Sequence, residues 1–420
     1  MKTTILRSGV APMPKADNPL APIRGRIITS LTGCVARALE WLTHHQYATD
    51  AGPHYRGEFP MQLYAPSPRL DHNFLTGYTL LHLAIARTSP AISPEWRQAI
   101  AAILDRARDI PRLYRGASGL TNWYHGKLTR CGAPPDHAWT DGVVLCLCDD
   151  YDDTSIASQL ACLAGYEADP AMLDRLLAAA TPADGGGLGY RSLRRTEAAG
   201  VQEGVYRTWK LPPPDPEDIR RVSGFTLPVR MVPHENSVEM VTAANIWTAI
   251  ALLDGDAARY PSQAATAVFV NRLARQALTA LLDGDPGALT VAAPYYPWVP
   301  FAPVAFLLHD HCVAGATLLD AGTRDLIGEA LAAAPADHAF VALAYWLNCA
   351  AWSARAGCLP EGIEPLLWAR WLEIQAYAEG GAAWPDFIFF NQAHIGHYGG
   401  PPYVQALMLE TALLLLERAA

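Results

Sequence analysis

The stretch "LCLCDDYDDTSIASQLACL", Leu145 to Leu163, sets four aspartates within five residues and then returns to an apolar run. Like charges this close repel, and three chemistries would justify the arrangement. Asp152 and Asp153, with Thr154 and Ser155, would cap a helix beginning near Ile156, where carboxylates meet free amides and the positive end of the dipole. Capping needs one or two of these residues, not four. Asp149, Asp150 and Asp153 spell DDxxD, in which carboxylates a helical turn apart share a face and would hold Mg²⁺ bridging to a diphosphate. Asp150, Asp152 and Asp153 spell DxDD: carboxyls gathered in a partly desolvated pocket do not all ionise, so one keeps its proton at neutral pH. An alkene or epoxide is a very weak base and needs an acid of that kind. The third reading also accounts for the crowding itself.

The elements that must position these groups are helical. Apolar residues recur at three- and four-residue spacing in segments such as "SLTGCVARALEWLTHH", "FLTGYTLLHLAIA", "VEMVTAANIWTAIALL", "HAFVALAYWLNCAAWSA" and "PYVQALMLETALLLLER", and alternating strands are scarce. About twelve such segments, joined mostly by short links, predict an all-α fold: an α/α toroid of about six helical hairpins with a central cavity open at one end. Residues 1–28, with Pro12, Pro14, Pro19 and Pro22, read as an extended N-terminal arm, and 29–420 as a single toroidal domain. The stretch 181–234, with a glycine triplet, a proline triplet and little periodicity, reads as a long loop or lid.

The string "DYDDTS", Asp150 to Ser155, resembles the DxDD(T) signature of class II terpene cyclases, the squalene-hopene and copalyl diphosphate synthase group. "QAYAEGGAAW", Gln375 to Trp384, and "DGGGLGY", Asp184 to Tyr190, are similar to the QW repeats of those barrels, and "HYGGPPYVQALMLETALLLL" resembles the closing helix of cyclase-like and protein-prenyltransferase-like toroids. The resemblance implies protonation-initiated cyclisation of a linear isoprenoid. Asp152 would be the general acid, and Asp150 and Asp153 would tune and orient it. Familiar members pair two barrels, whereas this chain has the length of one toroid plus a lid.

Carbocations formed in this way need aromatic walls. The candidates are Trp123, Tyr124, Tyr151, Trp247, Tyr295, Tyr296, Trp298, Trp384 and Tyr398, among which Trp123, Tyr151 and Trp298 are selected. Arg191, Arg194 and Arg195 in the lid suit phosphate oxygens, so a prenyl diphosphate is the expected substrate and Mg²⁺ would accompany it. Glu239 and Asn245 interrupt an apolar helix, and Asn245 is taken to line the cavity. Asp310 and Cys312, with a distant His394 or His397, have the spacing of the protein-prenyltransferase zinc site, but a core histidine is the preferred reading of "HDHC" and no metal ligand is assigned.

Net charge is −9 and 51% of residues are hydrophobic, which argues against nucleic-acid partners and for a large core. The eight cysteines form no paired CxxC groups and read as reduced core residues; with no signal-like leader and no uninterrupted apolar span, the expected setting is cytoplasmic. Three alternatives stay open at this level. They are a class I-like Mg²⁺-dependent synthase using DDxxD, a carbohydrate-active toroid with paired carboxylates, and a non-catalytic isoprenoid-binding protein.

Overall fold

The structure, a computed structural model, describes residues 21–51, 55–60, 62–63, 74–115, 119–121, 151–181, 203–208, 238–293, 296–297, 299–315, 317–334, 337–378, 384–385, 388–392 and 396–419. Among these, helices alternate between an outer and an inner position. Outer α1 (Ala21–His45) precedes inner α2 (Phe74–Ala86); outer α3 (Pro94–Arg106) and the short α4 (Ile110–Leu113) precede inner α5 (Tyr151–Ala164). Outer α6 (Met172–Leu177) is followed by inner α7 (Met240–Leu253), and outer α8 (Pro261–Leu282) and short α9 (Ala288–Ala292) by inner α10 (Phe301–Val313). Outer α11 (Ala321–Ala333) with inner α12 (Phe340–Arg355), and outer α13 (Glu364–Ile374) with inner α14 (Pro401–Ala419), complete six pairs among the described residues.

The inner helices close on themselves. α2 packs on α5, α5 on α7, α7 on α10, α10 on α12, α12 on α14, and α14 on α2. The outer helices pack on the outside of this ring, and α1 meets α14, α3 and α13, so the beginning and end of the described chain join the ring. This is the expected α/α toroid.

The sequence explains the two classes of helix. Inner helices are buried on every face because each is covered by two ring neighbours, an outer helix and the axis; Leu75–Ala86 of α2 and Met240–Ile250 of α7 are buried throughout. Outer helices bury one stripe. In α3, Ile100, Ile103 and Leu104 face inward while Glu95 and Arg97 are exposed, and the helix opens on Ser93, whose hydroxyl accepts the Trp96 amide at 3.3 Å.

α1 begins at Ala21, inside the segment expected to be extended to residue 28. Proline is compatible with the first turn of a helix, where its missing N–H forfeits no bond, so Pro22 does not delay the start. The Arg24 Nε donates to the Ala419 carbonyl at 2.9 Å, pinning this helix to the end of α14.

Three short strands, β1 (Gln62–Leu63), β2 (Ile388–Gln392) and β3 (Gly396–Gly399), form an antiparallel sheet in the order β1-β3-β2. It ties the chain leading into α2 to the chain leading into α14. Of the stretch expected as a lid, residues 181 and 203–208 are described. They form a strip against the end of α6, with Thr181 and Gly204 N–H groups donating to Val205 and Thr181 carbonyls at 3.0 Å, and with the Tyr206 hydroxyl 2.8 Å from that of Ser262 on α8.

Candidate active site

α5 starts at Tyr151, so Asp152 and Asp153 lie inside its first turn and do not cap a helix begun near Ile156. The start is fixed from outside the helix: the Tyr151 N–H donates to the Thr208 carbonyl at 2.8 Å, and the Thr154 hydroxyl accepts the Thr121 N–H at 3.0 Å. Successive residues on a helix point about 100° apart, so neighbouring aspartates cannot share one direction. Asp152 takes the axial one.

Around Asp152 the ring brings together three helices and a loop. The Asn245 Nδ2 on α7 donates to Asp152 Oδ1 at 2.8 Å, and the Tyr296 hydroxyl reaches Oδ1 and Oδ2 at 3.1 and 2.9 Å. Asn245 Nδ2 also lies 2.8 Å from the Tyr296 hydroxyl and 3.0 Å from that of Tyr78 on α2, and the two phenols are 2.8 Å apart. A carboxyl held by an amide and a phenol cannot rotate freely.

The electrostatics follow from this enclosure. Asp152 is only 6% exposed, and burial lifts its carboxyl to about 6; the Asn245 and Tyr296 donors oppose that rise and Asp310, across the ring, adds to it. Among the described residues, then, withdrawal from water does most of what the sequence assigned to crowding by neighbouring aspartates. Glu239, the N-cap of α7, is lifted to about 8, first by burial, with the Asp152 charge adding to it.

Aromatic rings complete the layer. Phe306 on α10 lies 5.5 Å from Tyr78, 4.9 Å from Tyr296 and 6.3 Å from Tyr345 on α12; Tyr78 and Tyr403 on α14 are 6.5 Å apart, and the Tyr345 and Tyr403 hydroxyls meet at 2.6 Å. α2 and α10 face each other across the ring, so the Tyr78–Phe306 contact spans the axis. These residues sit in the N-terminal halves of their helices, which therefore lie at one end of the toroid. Two clefts lined by described residues lie away from this layer: one of about 350 Å³ beside Arg112, Arg115 and Asp169, one of about 180 Å³ beside Phe301, Trp346 and Arg370.

Of the residues selected from sequence, Asp152 and Asn245 are in direct contact. Asp153 is fully buried beside Asp152, and the Tyr151 phenol is buried toward Arg207 instead of the Asp152 cluster. Asp149, Asp150, Trp123, Trp298, Arg191, Arg194 and Arg195 lie outside the described residues. Trp247 exchanges hydrogen bonds with Gln263 on α8 and so faces outward; Trp384 stacks on Phe340 at 5.9 Å. Tyr296 stood among the wall candidates but was not selected, and Tyr78, Phe306, Tyr345 and Tyr403 were missed, because an aromatic in an apolar helix reads as packing.

Among the described residues no three His, Cys, Asp or Glu side chains gather as metal ligands. Burial pushes the Cys312 thiol up to about 12, which disfavours the thiolate a zinc site needs, and Asp310 pairs with His309 Nδ1 at 3.2 Å. The side chains of His394 and His397 lie outside the described residues. The described cysteines, Cys34, Cys162, Cys312, Cys349 and Cys358, are free thiols. No described helix is long and apolar enough to cross a membrane.

No family model matches the sequence, and no curated protein matches it. Solved structures of the type II terpene cyclase MstE from Scytonema align with it along nearly the whole chain. A ligand-free variant and a variant in complex with geranylgeranyl dihydroxybenzoate, its substrate, each give a TM-score of 0.47 at 13% identity, covering 96% of this chain and 100% of that one. Ligand-free MstE gives 0.46 at 13% identity, with 94% and 100% covered.

Proposed function

We propose that this chain is a class II-like terpene cyclase in which Asp152 protonates the terminal alkene or epoxide of a linear isoprenoid. The observation that carries the reading is a single carboxyl, buried on the axis of a helical ring, lifted to about 6 and clamped by Asn245 and Tyr296. At pH 7 about one molecule in ten then holds the proton, against fewer than one in a thousand for an ordinary aspartate. The acid O–H breaks as a new C–H bond forms on the alkene, leaving a tertiary cation. Neighbouring double bonds donate their electron pairs in turn and close rings. Tyr78, Phe306, Tyr345 and Tyr403 offer faces that stabilise such cations by their quadrupoles and withhold water.

The DxDD likeness supports the same assignment, with Asp153 as a buried neighbour and Asp150 preceding the helix in sequence. A prenyl diphosphate is the proposed substrate form. Arg191, Arg194 and Arg195 are the proposed phosphate contacts, and Trp123 and Trp298 proposed wall residues. Mg²⁺ would serve the diphosphate and not the protonation.

The test is incubation of the purified protein with farnesyl diphosphate, geranylgeranyl diphosphate and geranylgeranyl dihydroxybenzoate, whose head group carries no diphosphate. Cyclic products with the head group retained are expected. Asp152→Asn, which keeps the shape but cannot supply the acid, should lower conversion by about 10³-fold or more while circular dichroism stays that of the parent. Cyclisation by the Asn variant at the parental rate, or release of pyrophosphate as the ring forms, would overturn the assignment.

A further inference from the structure

One helical turn beyond Tyr78 the axis turns from aromatic to polar. His82, four residues on along α2 and on the same face, places Nδ1 2.8 Å from Glu410 Oε2 on α14. The other oxygen of Glu410 accepts from Trp352 Nε1 at 2.9 Å and from Asn348 Nδ2 at 3.3 Å, both on α12. Burial works to raise the Glu410 carboxyl but is outweighed, first by His82 and then by His309 and Asn348, so it is held below its ordinary value and stays ionised. An ionised carboxylate only accepts hydrogen bonds, so the proton between the pair sits on His82 Nδ1. In the neutral imidazole a proton on Nδ1 leaves the lone pair on Nε2, and this atom is buried with no hydrogen-bond partner among the described residues. A buried imidazole nitrogen without a partner calls for an explanation.

We propose that His82, oriented by Glu410, is the base that ends the reaction by removing a proton from the last carbocation. The inference rests on the cyclase reading above. Cyclisation moves positive charge away from the atom that Asp152 protonates. The rise between residues 78 and 82 is about 6 Å, comparable with the length of two fused six-membered carbon rings. Edge-on contact of His82 with Tyr403, ring centroids 5.3 Å apart, places the imidazole at the edge of the aromatic layer. The C–H bond next to the cation breaks, its electron pair forms the product alkene, and the proton passes to His82 Nε2. Asp152 has lost one proton and His82 has gained one, so the net change is an isomerisation, and exchange with solvent restores both. Tyr78 and Phe306 touch across the axis, so a chain reaching His82 requires these two rings to part. His309 also has an unpartnered Nε2, but its partner Asp310 is pushed up by burial and makes a longer contact of 3.2 Å. It is the natural comparison.

The experiment compares products of the parent, His82→Ala, His309→Ala and Glu410→Gln with geranylgeranyl diphosphate in D₂O. One deuterium on the first-protonated carbon reports the Asp152 step. Formation of the parental alkene should fall by about 10²-fold in His82→Ala, with alcohols or displaced alkenes in its place, and by a smaller factor in Glu410→Gln, whose amide cannot hold the imidazole as an anion does. An unchanged alkene pattern in His82→Ala, or its loss in His309→Ala alone, would overturn the inference and leave the cyclase reading standing. Absence of any deuterated product from the parent would strike the cyclase reading itself. Long-range ¹H–¹⁵N correlation on the unmodified protein decides independently of substrate and of variant folding: a proton on Nδ1 and none on Nε2 is expected, and a proton on Nε2 at neutral pH would overturn the assignment.

Discussion

Asn245 turns a carboxyl into an oriented acid. Its amide donor opposes the rise that burial imposes on Asp152, and it ties Oδ1 of that carboxyl to the phenols of Tyr78 and Tyr296. Asn245→Leu, close in volume, removes that donor, so the charged form of Asp152 loses support and its proton is held to higher pH. The expected result is a fall in kcat/KM of about 10-fold to 10²-fold from lost orientation, with the alkaline fall of the rate–pH profile moved upward from about 6. A profile that keeps its parental midpoint would show that Asn245 does not act on the acid. At this scale the sequence reveals whatever violates its surroundings: four aspartates side by side, or an asparagine in "VTAANIWTAIALL". Tyr78 violates nothing in "FLTGYTLLHLAIA", and its role follows only from α5, α7 and the 296–297 loop arriving beside it.

α7 shows how an element carries chemistry. It opens on Glu239, whose Oε2 accepts the Thr242 N–H at 2.6 Å, and six residues later presents Asn245 to Asp152. Capping of this kind is worth about 1 kcal/mol, and Glu239→Ala should lose roughly that while Glu239→Gln retains most of it. Glu239 has a folded value raised to about 8 above an ordinary 4.5, so its stabilising contribution is complete below about 4.5 and disappears as pH rises through 8. Denaturant unfolding at pH 7 and pH 9 should therefore show the parent losing more stability than Glu239→Gln over that interval; parallel losses would contradict the shift. The helices themselves were legible. The periodic segment "FLTGYTLLHLAIA" coincides with α2, while α5 begins five residues before the start expected near Ile156 and α1 nine residues before its periodic segment "SLTGCVARALEWLTHH". Polar and proline-bearing first turns hide a helix start from apolar periodicity, because tertiary contacts such as Tyr151 to Thr208 and Arg24 to Ala419 supply what local pattern lacks.

The whole ring makes the acid. No single helix could withdraw Asp152 from water. Six inner helices joined edge to edge do so; the ring closes where α14 meets α2, and α1 is pinned to the end of α14 across 395 residues of sequence. Helix number and short links, read from the chain, were enough to predict a toroid; which inner faces meet at its centre was not, since that depends on the rotation of each helix about its own axis. The account stands on one property of the closed ring, a proton held on Asp152 far above the ordinary carboxylate range. Its pKa can be measured directly by titrating ¹³C-aspartate-labelled protein and assigning the Asp152 carboxyl by its absence in Asp152→Asn. The account predicts a midpoint near 6. A midpoint near the ordinary 3.8 would contradict it.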